Sequence, residues 1–186
     1  RIVDVLAYYV LENPPCKFAY YQDAIQNDKE SKFRYLKSKE RIVRIIAYCV
    51  MPTHIHLILE QLAEEGISRY MNLALKSYSL YFNAKYKRKG PLWEGRFKNV
   101  HVATDEQLLH LTRYIHLNPV SAGIIDCPDN WQFSSYKEYL GLIQKDNKLC
   151  DYEKFFDLSS DSYRGFVNNQ IDYQRELEKI KHVTME

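Results

Sequence analysis

The stretch Tyr48–Glu60, "YCVMPTHIHLILE", decides how the chain is read, because it sets two histidines one residue apart inside an apolar run. The residues before it, "RIVRIIAYCV" (Arg41–Val50), have the β-branched and aromatic bias of a strand. Pro52 has no N–H to give to a ladder, so it marks the turn between two extended runs. In the second run side chains alternate faces, which points Ile55, Leu57 and Leu59 one way and His54, His56, Ile58 and Glu60 the other.

That period puts both imidazoles on one face with their Cα atoms roughly 6.5–7 Å apart. Two neutral imidazoles can converge on one ion. They leave positions for water, a carboxamide or carboxylate, and a substrate phosphate, which is the open site that metal-assisted chemistry needs. The same pair reads equally as two polar residues tolerated on a sheet face, since an H-x-H triplet arises often by chance. Its neighbours have to decide.

Working outward, "ISRYMNLALKSYSLYFNAKYKRKG" (Ile67–Gly90) repeats apolar residues at three- and four-residue intervals and predicts a helix, with Gly90 as its stop. "PLWEGRFKNVHVAT" (Pro91–Thr104) reads as a strand with an irregularity at Gly95. Thr104 and Gln107 have the spacing of a capping box, so a helix starts there. Asn118-Pro119 is expected to interrupt it, because the residue before proline avoids the α region. Upstream, "RIVDVLAYYVLEN" has a mixed period broken by Pro14-Pro15, and "NDKESKFRYLKSKER" (Asn27–Arg41) reads as a charged amphipathic helix. Beyond Asp126 a polar, mostly helical tail is expected. The order α-β-β-α-β-α and a helical extension suggest an α+β fold, with helices packed on an antiparallel sheet.

The 186 residues are 46% apolar and carry a net charge of +2, enough for one good-sized core. No apolar run approaches the roughly 18 residues of a membrane span, and no signal-peptide pattern opens the chain. Cys16, Cys49, Cys127 and Cys150 are scattered without a CxxC pair, which suits reduced thiols and a cytoplasmic setting. The charge is uneven. Residues 1–125 hold 18 Lys/Arg against 12 Asp/Glu, a net +6, and residues 126–186 hold 8 against 12, a net −4. A basic front suits a polyanion partner, and ordinary solvated surface would look the same.

Three further groups can carry chemistry. In "LLHLTRYIHLNPV", Tyr114 shares a helix face with His110 four residues before it and Asn118 four after. A tyrosine can serve as a covalent nucleophile; equally, it is one aromatic among sixteen. Asn118 before Pro119 also fits an N-cap with proline opening a new turn. In "NAKYKRKGPLWEGRFK", Lys85, Lys87, Arg88, Lys89, Arg96 and Lys98 crowd around Tyr86, Trp93 and Phe97. Such a cluster offers cations to phosphates and ring faces to unpaired bases, or a solvated helix end followed by a core tryptophan.

"AYCVMPTHIHLIL", "GPLWEGRF" and "YIHLNPVSAGI", in that order and spacing, resemble the Y1 single-strand DNA transposases of the HUH type, most nearly the REP-associated tyrosine transposases. "WQFSSYKEYLG" and "YRGFVNNQ" are similar to that branch's C-terminal extension, so the likeness covers roughly residues 42–170. The resemblance implies a ferredoxin-like antiparallel sheet with helices on one face, a catalytic core over 42–125 and a C-terminal extension over 126–186. It implies that His54 and His56 bind a metal, that Tyr114 is the nucleophile, and that Asn118 stands where the family places a third polar ligand. It further implies Mg²⁺ or Mn²⁺, cleavage of single-stranded DNA beside hairpins, a 5′-phosphotyrosine intermediate and a free 3′-OH. The residues of the 85–98 cluster would hold the strand. Small members are homodimers and REP-associated ones can be monomers, which leaves the oligomeric state open. The family's usual first strand is not evident in residues 1–41: it either precedes Arg1 or this segment is divergent. His110 and His116 have no counterpart role and are expected to face solvent. Two rivals remain, a domesticated DNA- or RNA-binding regulator that no longer cuts, and a phosphoesterase that uses water with Tyr114 merely structural.

Overall fold

A computed structural model describes residues 1–24 and 39–176 of the chain. The amphipathic helix expected at Asn27–Arg41 falls largely outside the described residues, as does the end of the polar tail. The fold is α+β, built on a two-stranded antiparallel sheet. In chain order the elements are α1 (Ile2–Tyr8), α2 (Phe18–Ala24), β1 (Val43–Val50), β2 (Ile55–Gln61), α3 (Gly66–Lys85), α4 (Asp105–Ser121), the single turn α5 (Tyr136–Tyr139) and α6 (Ser160–Asn168). No described helix is long and apolar enough to cross a membrane.

The chain divides into two compact units, one of residues 1–44 and 59–101, the other of 45–58 and 102–186. In the first, α1 packs on α3, and Tyr70 of α3 donates its hydroxyl to the Leu6 carbonyl at 3.2 Å. Tyr8, Phe18 and Tyr21 form an aromatic cluster beside them. Residues 10–12 pair with 40–42: Ile42 N–H donates to Val10 at 2.8 Å and Glu12 N–H to Glu40 at 2.9 Å. The Ile42 carbonyl accepts from Leu62 and Ala63 and lies so close to Gly66 that a Cβ there would sit 2.3 Å from it. Only glycine can open α3 at that point.

The second unit is organised around β1. Ile45, Ile46, Ala47, Tyr48 and Cys49 are all buried, so this strand is covered on both faces. Segment 131–151 supplies partners to its backbone. Val50 N–H donates to Phe133 O at 2.9 Å, Ser135 N–H to Tyr48 O at 3.0 Å, Asp151 N–H to Ile45 O at 3.0 Å, and the Tyr139 hydroxyl to Ile46 O at 2.8 Å. Trp131 closes the row by donating its indole N–H to Val50 O at 3.0 Å. Buried backbone groups must be paired, and here a loop and two side chains do what a further strand would do. Segment 126–159 is therefore mostly turns and short helices, and the helical part of the extension is α6 with residues 171–176. An Arg164–Asp129 ion pair at 3.0 Å ties α6 to the turn at Pro128–Asn130.

Two expectations change. The strand at Pro91–Thr104 is irregular chain: most of its side chains are exposed, Val100 to 84%, and no described residue pairs with its backbone as a ladder. Apolar content without a partner strand does not make a strand. The break at Asn118-Pro119 does not occur either, since α4 runs to Ser121 with Pro119 inside it. Proline so near the end forfeits a single intrahelical bond, and the next turn closes through Ala122 N–H to Asn118 O at 2.9 Å and Ile124 N–H to Pro119 O at 3.0 Å.

Candidate active site

Turn Met51–His54 places the histidines. Met51 N–H donates to His54 O at 2.8 Å, so the chain reverses over Pro52 and enters β2 with both imidazoles on one side. His54 Nε2 and His56 Nε2 stand 2.9 Å apart, with ring planes near-perpendicular at 86°. Two nitrogens bound to one ion at about 2.1 Å and a right angle would be about 3 Å apart, so this spacing is one that a shared divalent ion could use. Without an ion, one Nε2–H donates to the other ring. Thr53 Oγ1 lies 3.0 Å from His54 Nδ1. Where it accepts that proton, the lone pair of His54 Nε2 faces its neighbour, the outer-sphere orientation typical of metal-binding histidines. The pKa of His56 is lowered, first by burial and then by His54, while a hydrogen bond with Asn118 opposes the shift. A histidine held neutral is a histidine able to ligate.

Helix α4 brings the other half. Its start keeps the N-cap half of the expected capping box: Thr104 Oγ1 accepts from Gln107 N–H at 3.1 Å, while Gln107 Oε1 accepts from Ala103 N–H at 2.9 Å, one residue before the cap. Ten residues on, the Tyr114 ring stands edge-on to His56, centroids 5.9 Å apart at 81°. Tyr114 is 42% exposed, open to a large substrate. Asn118 is not a helix cap. It lies one turn further along α4, where its Nδ2 donates to Tyr114 O at 2.8 Å and its side chain reaches His56. His54, His56, Tyr114 and Asn118 thus share one locality within one compact unit. No cluster of three or more His, Cys, Asp or Glu suited to a metal exists among the described residues. The polar side chain nearest the pair on α4 is the Asn118 carboxamide, which reaches His56.

The basic cluster lies in the first unit. Lys85, Lys87, Arg88, Lys89, Arg96 and Lys98 are exposed, Trp93 and Phe97 half-buried. Trp93 donates its indole N–H to Leu75 O at 3.2 Å and packs 6.2 Å from Tyr78, so it anchors the irregular segment to α3. Lys85 sits over Tyr81 and Tyr86, and Arg88 over Phe82. Tyr86 itself is 55% exposed.

His110 faces solvent as expected, 2.9 Å from Arg113. His116 does not. It is fully buried, with Nδ1 2.7 Å from the Tyr163 hydroxyl and Nε2 2.7 Å from Ser135 Oγ. Desolvation pushes its pKa down to about 3, so the ring is neutral. The missed signal was periodicity: Leu108, Thr112, His116 and Val120 repeat every four residues along one stripe, and all are buried.

The chain belongs to the IS200-like transposase family, whose model matches residues 6–118. The match begins well before the motif at Tyr48. A Haemophilus influenzae protein, itself named only by inference as a REP-associated tyrosine transposase, is 30% identical over 103 residues. That alignment covers 49% of this chain and 57% of the relative, so the chain spans little more than half of that protein's length. No solved structure matches it.

Proposed function

We propose that this chain is a single-stranded DNA endonuclease and strand-transferase that cuts beside hairpins through a covalent 5′-phosphotyrosine on Tyr114. The observation that carries the reading is the convergence of His54 Nε2, His56 Nε2, the Tyr114 ring and the Asn118 side chain within one unit. His54 and His56, with Asn118, would hold Mg²⁺ or Mn²⁺. Such an ion, when bound, polarises the scissile phosphate and stabilises negative charge on the leaving oxygen. Tyr114 Oη attacks phosphorus in line; the new Oη–P bond replaces the P–O3′ bond, and the departing 3′ oxygen leaves as a hydroxyl once protonated. The phenolic proton goes to solvent at this exposed position. Helix α4 holds the tyrosine ready, which supplies orientation that free water lacks. Rejoining is the same displacement run by an incoming 3′-OH.

The residues of the 85–98 cluster are proposed to hold the strand, cations on phosphates and Tyr86, Trp93 and Phe97 beside bases, so binding should weaken steeply with salt. Work in the cytoplasm is proposed from four unpaired cysteines. The test uses labelled single-stranded hairpin DNA with Mn²⁺ and a denaturing gel. A protein–DNA adduct is expected, absent from Tyr114→Phe. Cleavage without an adduct, or an adduct surviving Tyr114→Phe, would overturn the tyrosine mechanism. Binding without cleavage under either metal would instead favour the domesticated regulator.

A further inference from the structure

We propose that Ser135, His116, Tyr163 and Thr112 are positioning residues, a buried hydrogen-bond chain by which the C-terminal extension sets the rotation of α4 and so aims Tyr114 at the histidine pair. The inference rests on the reading of Tyr114 as nucleophile. Tyr163 donates its hydroxyl to Thr112 Oγ1 at 2.9 Å, and Thr112 donates to Leu109 O at 2.7 Å. Tyr163 oxygen is then the acceptor for His116 Nδ1–H at 2.7 Å, which leaves His116 Nε2 to accept from Ser135 O–H at 2.7 Å. The donors run in one direction from Ser135 to Leu109, with the Ser135 O–H shared between His116 Nε2 at 2.7 Å and the Tyr48 carbonyl at 3.2 Å. A buried network completed in this way favours one arrangement, whereas a broken one is costly.

Its placement gives it a task. Tyr114 and His116 are two residues apart, which on a helix directs them to nearly opposite sides. The nucleophile's face is exposed, while the opposite face is gripped by directional bonds to α6 and to the segment before α5. Ser135 also grips β1: its Oγ accepts from Tyr48 N–H at 2.9 Å and its own N–H donates to Tyr48 O at 3.0 Å. From Tyr48 the chain runs six residues to His54. One serine therefore references both the helix that bears the nucleophile and the strand that leads to the histidines. Apolar packing alone would tolerate a small helix rotation. A rotation of about 10° moves an atom about 6 Å from the axis by about 1 Å, and a misplacement of that size can slow chemistry by about 10²-fold.

Tyr163→Phe is the sharpest test, because the ring keeps its packing against Tyr136, Tyr139 and Phe166 while the hydroxyl at the centre of the chain goes. Thr112→Val breaks the same chain at a second point without loss of volume, and replaces Tyr163→Phe if that variant fails to fold. The expected result is a single-turnover rate of adduct formation at saturating DNA that falls about 10- to 100-fold, with DNA affinity and Mn²⁺ affinity within about two-fold of the parent. Tyr163→Phe/Thr112→Val together should fall no further than the worse single variant. A parental rate in folded single variants, or a loss explained by weaker DNA binding alone, overturns the proposal. A parent protein that forms no adduct overturns the tyrosine mechanism instead. The positioning claim is then read from the NOE between the Tyr114 and His56 rings, which should weaken in the variants and refutes the claim if unchanged.

Discussion

The two faces of α4 carry the same kinds of residue in opposite settings. Tyr114 and Asn118 on one face are solvent-accessible and touch one another and His56. Thr112 and His116 on the other are fully buried and bonded to completion. The contrast extends to the histidines. His56 is half-buried beside a second imidazole whose nitrogen converges with its own, an arrangement that a bound ion would complete. His116 has both nitrogens occupied by hydroxyls and has nothing left to offer a ligand. What separates His56 from His116 here is accessibility, not residue type or depressed basicity, since both are hydrogen-bonded and both are held toward the neutral form.

Substitution on the open face should have the largest effect on chemistry and the smallest on the fold. His54→Ala or His56→Ala is expected to lower metal-dependent adduct formation by about 10³-fold or more, since several kcal/mol of charge stabilisation would go with the ion. Urea denaturation should show a stability change of about 0.5 kcal/mol or less for exposed His54. A His54→Ala protein that unfolds readily would erase the distinction between the faces.

On the closed face the order reverses. His116→Ala opens a cavity and strands the Tyr163 and Ser135 hydroxyls, so a loss of about 3 kcal/mol is expected in the same denaturation experiment. A near-neutral result would mean that the buried chain relaxes without penalty, and would remove the structural half of the contrast.

Much of the open face could be read in the sequence. The strand period of "THIHLIL", the Pro52 turn and the Thr104/Gln107 cap are local signals, and each produces its element where expected. What stayed hidden depends on partners far along the chain. The edge of β1 is satisfied by residues about ninety positions later, so nothing near β1 announces it. His116 looks polar in "YIHLNP" and is buried because Tyr163 and Ser135 meet it, 47 and 19 residues away. Pro119 is tolerated because of where α4 ends, and segment 91–104 fails as a strand for lack of a neighbour. The convergence of His56 with Tyr114 and Asn118 is likewise tertiary; spacing offered the candidates but not their meeting.

Two buried groups in the second unit give the contrast a pH signature. Neutral His116 lies near 3 against an ordinary 6.5, so its contribution to stability is present above about 6.5 and is lost as pH falls toward 3. Glu138 is pushed up to about 7 from 4.5 by desolvation, against two backbone N–H donors from Leu149 and Cys150. Its contribution is present below about 4.5 and is lost as pH rises through 7. Between about 4.5 and 6.5 the two slopes, each at most about 1.4 kcal/mol per pH unit, oppose one another. Stability measured in urea at fixed temperature should therefore be nearly flat across that window as far as these groups determine it. Glu138→Gln should tilt it, so that stability rises with pH from about 4.5 to 6.5. A flat profile in that variant would mean that His116 titrates normally.

The smallest effect belongs to the start of α4, and it tests whether the two faces are set locally or by the fold. Thr104→Ala removes the acceptor for Gln107 N–H and leaves the Gln107 side chain bonded to Ala103. A loss of about 1 kcal/mol is the usual cost of such a cap. If the far face of α4 is fixed by Tyr163 and Ser135, fraying the first turn should not turn the helix, and the rate of adduct formation should stay within about two-fold of the parent. A Thr104→Ala protein whose chemistry fails while its stability falls by only that amount would place the control of Tyr114 at the cap. The buried chain would then be packing and nothing more.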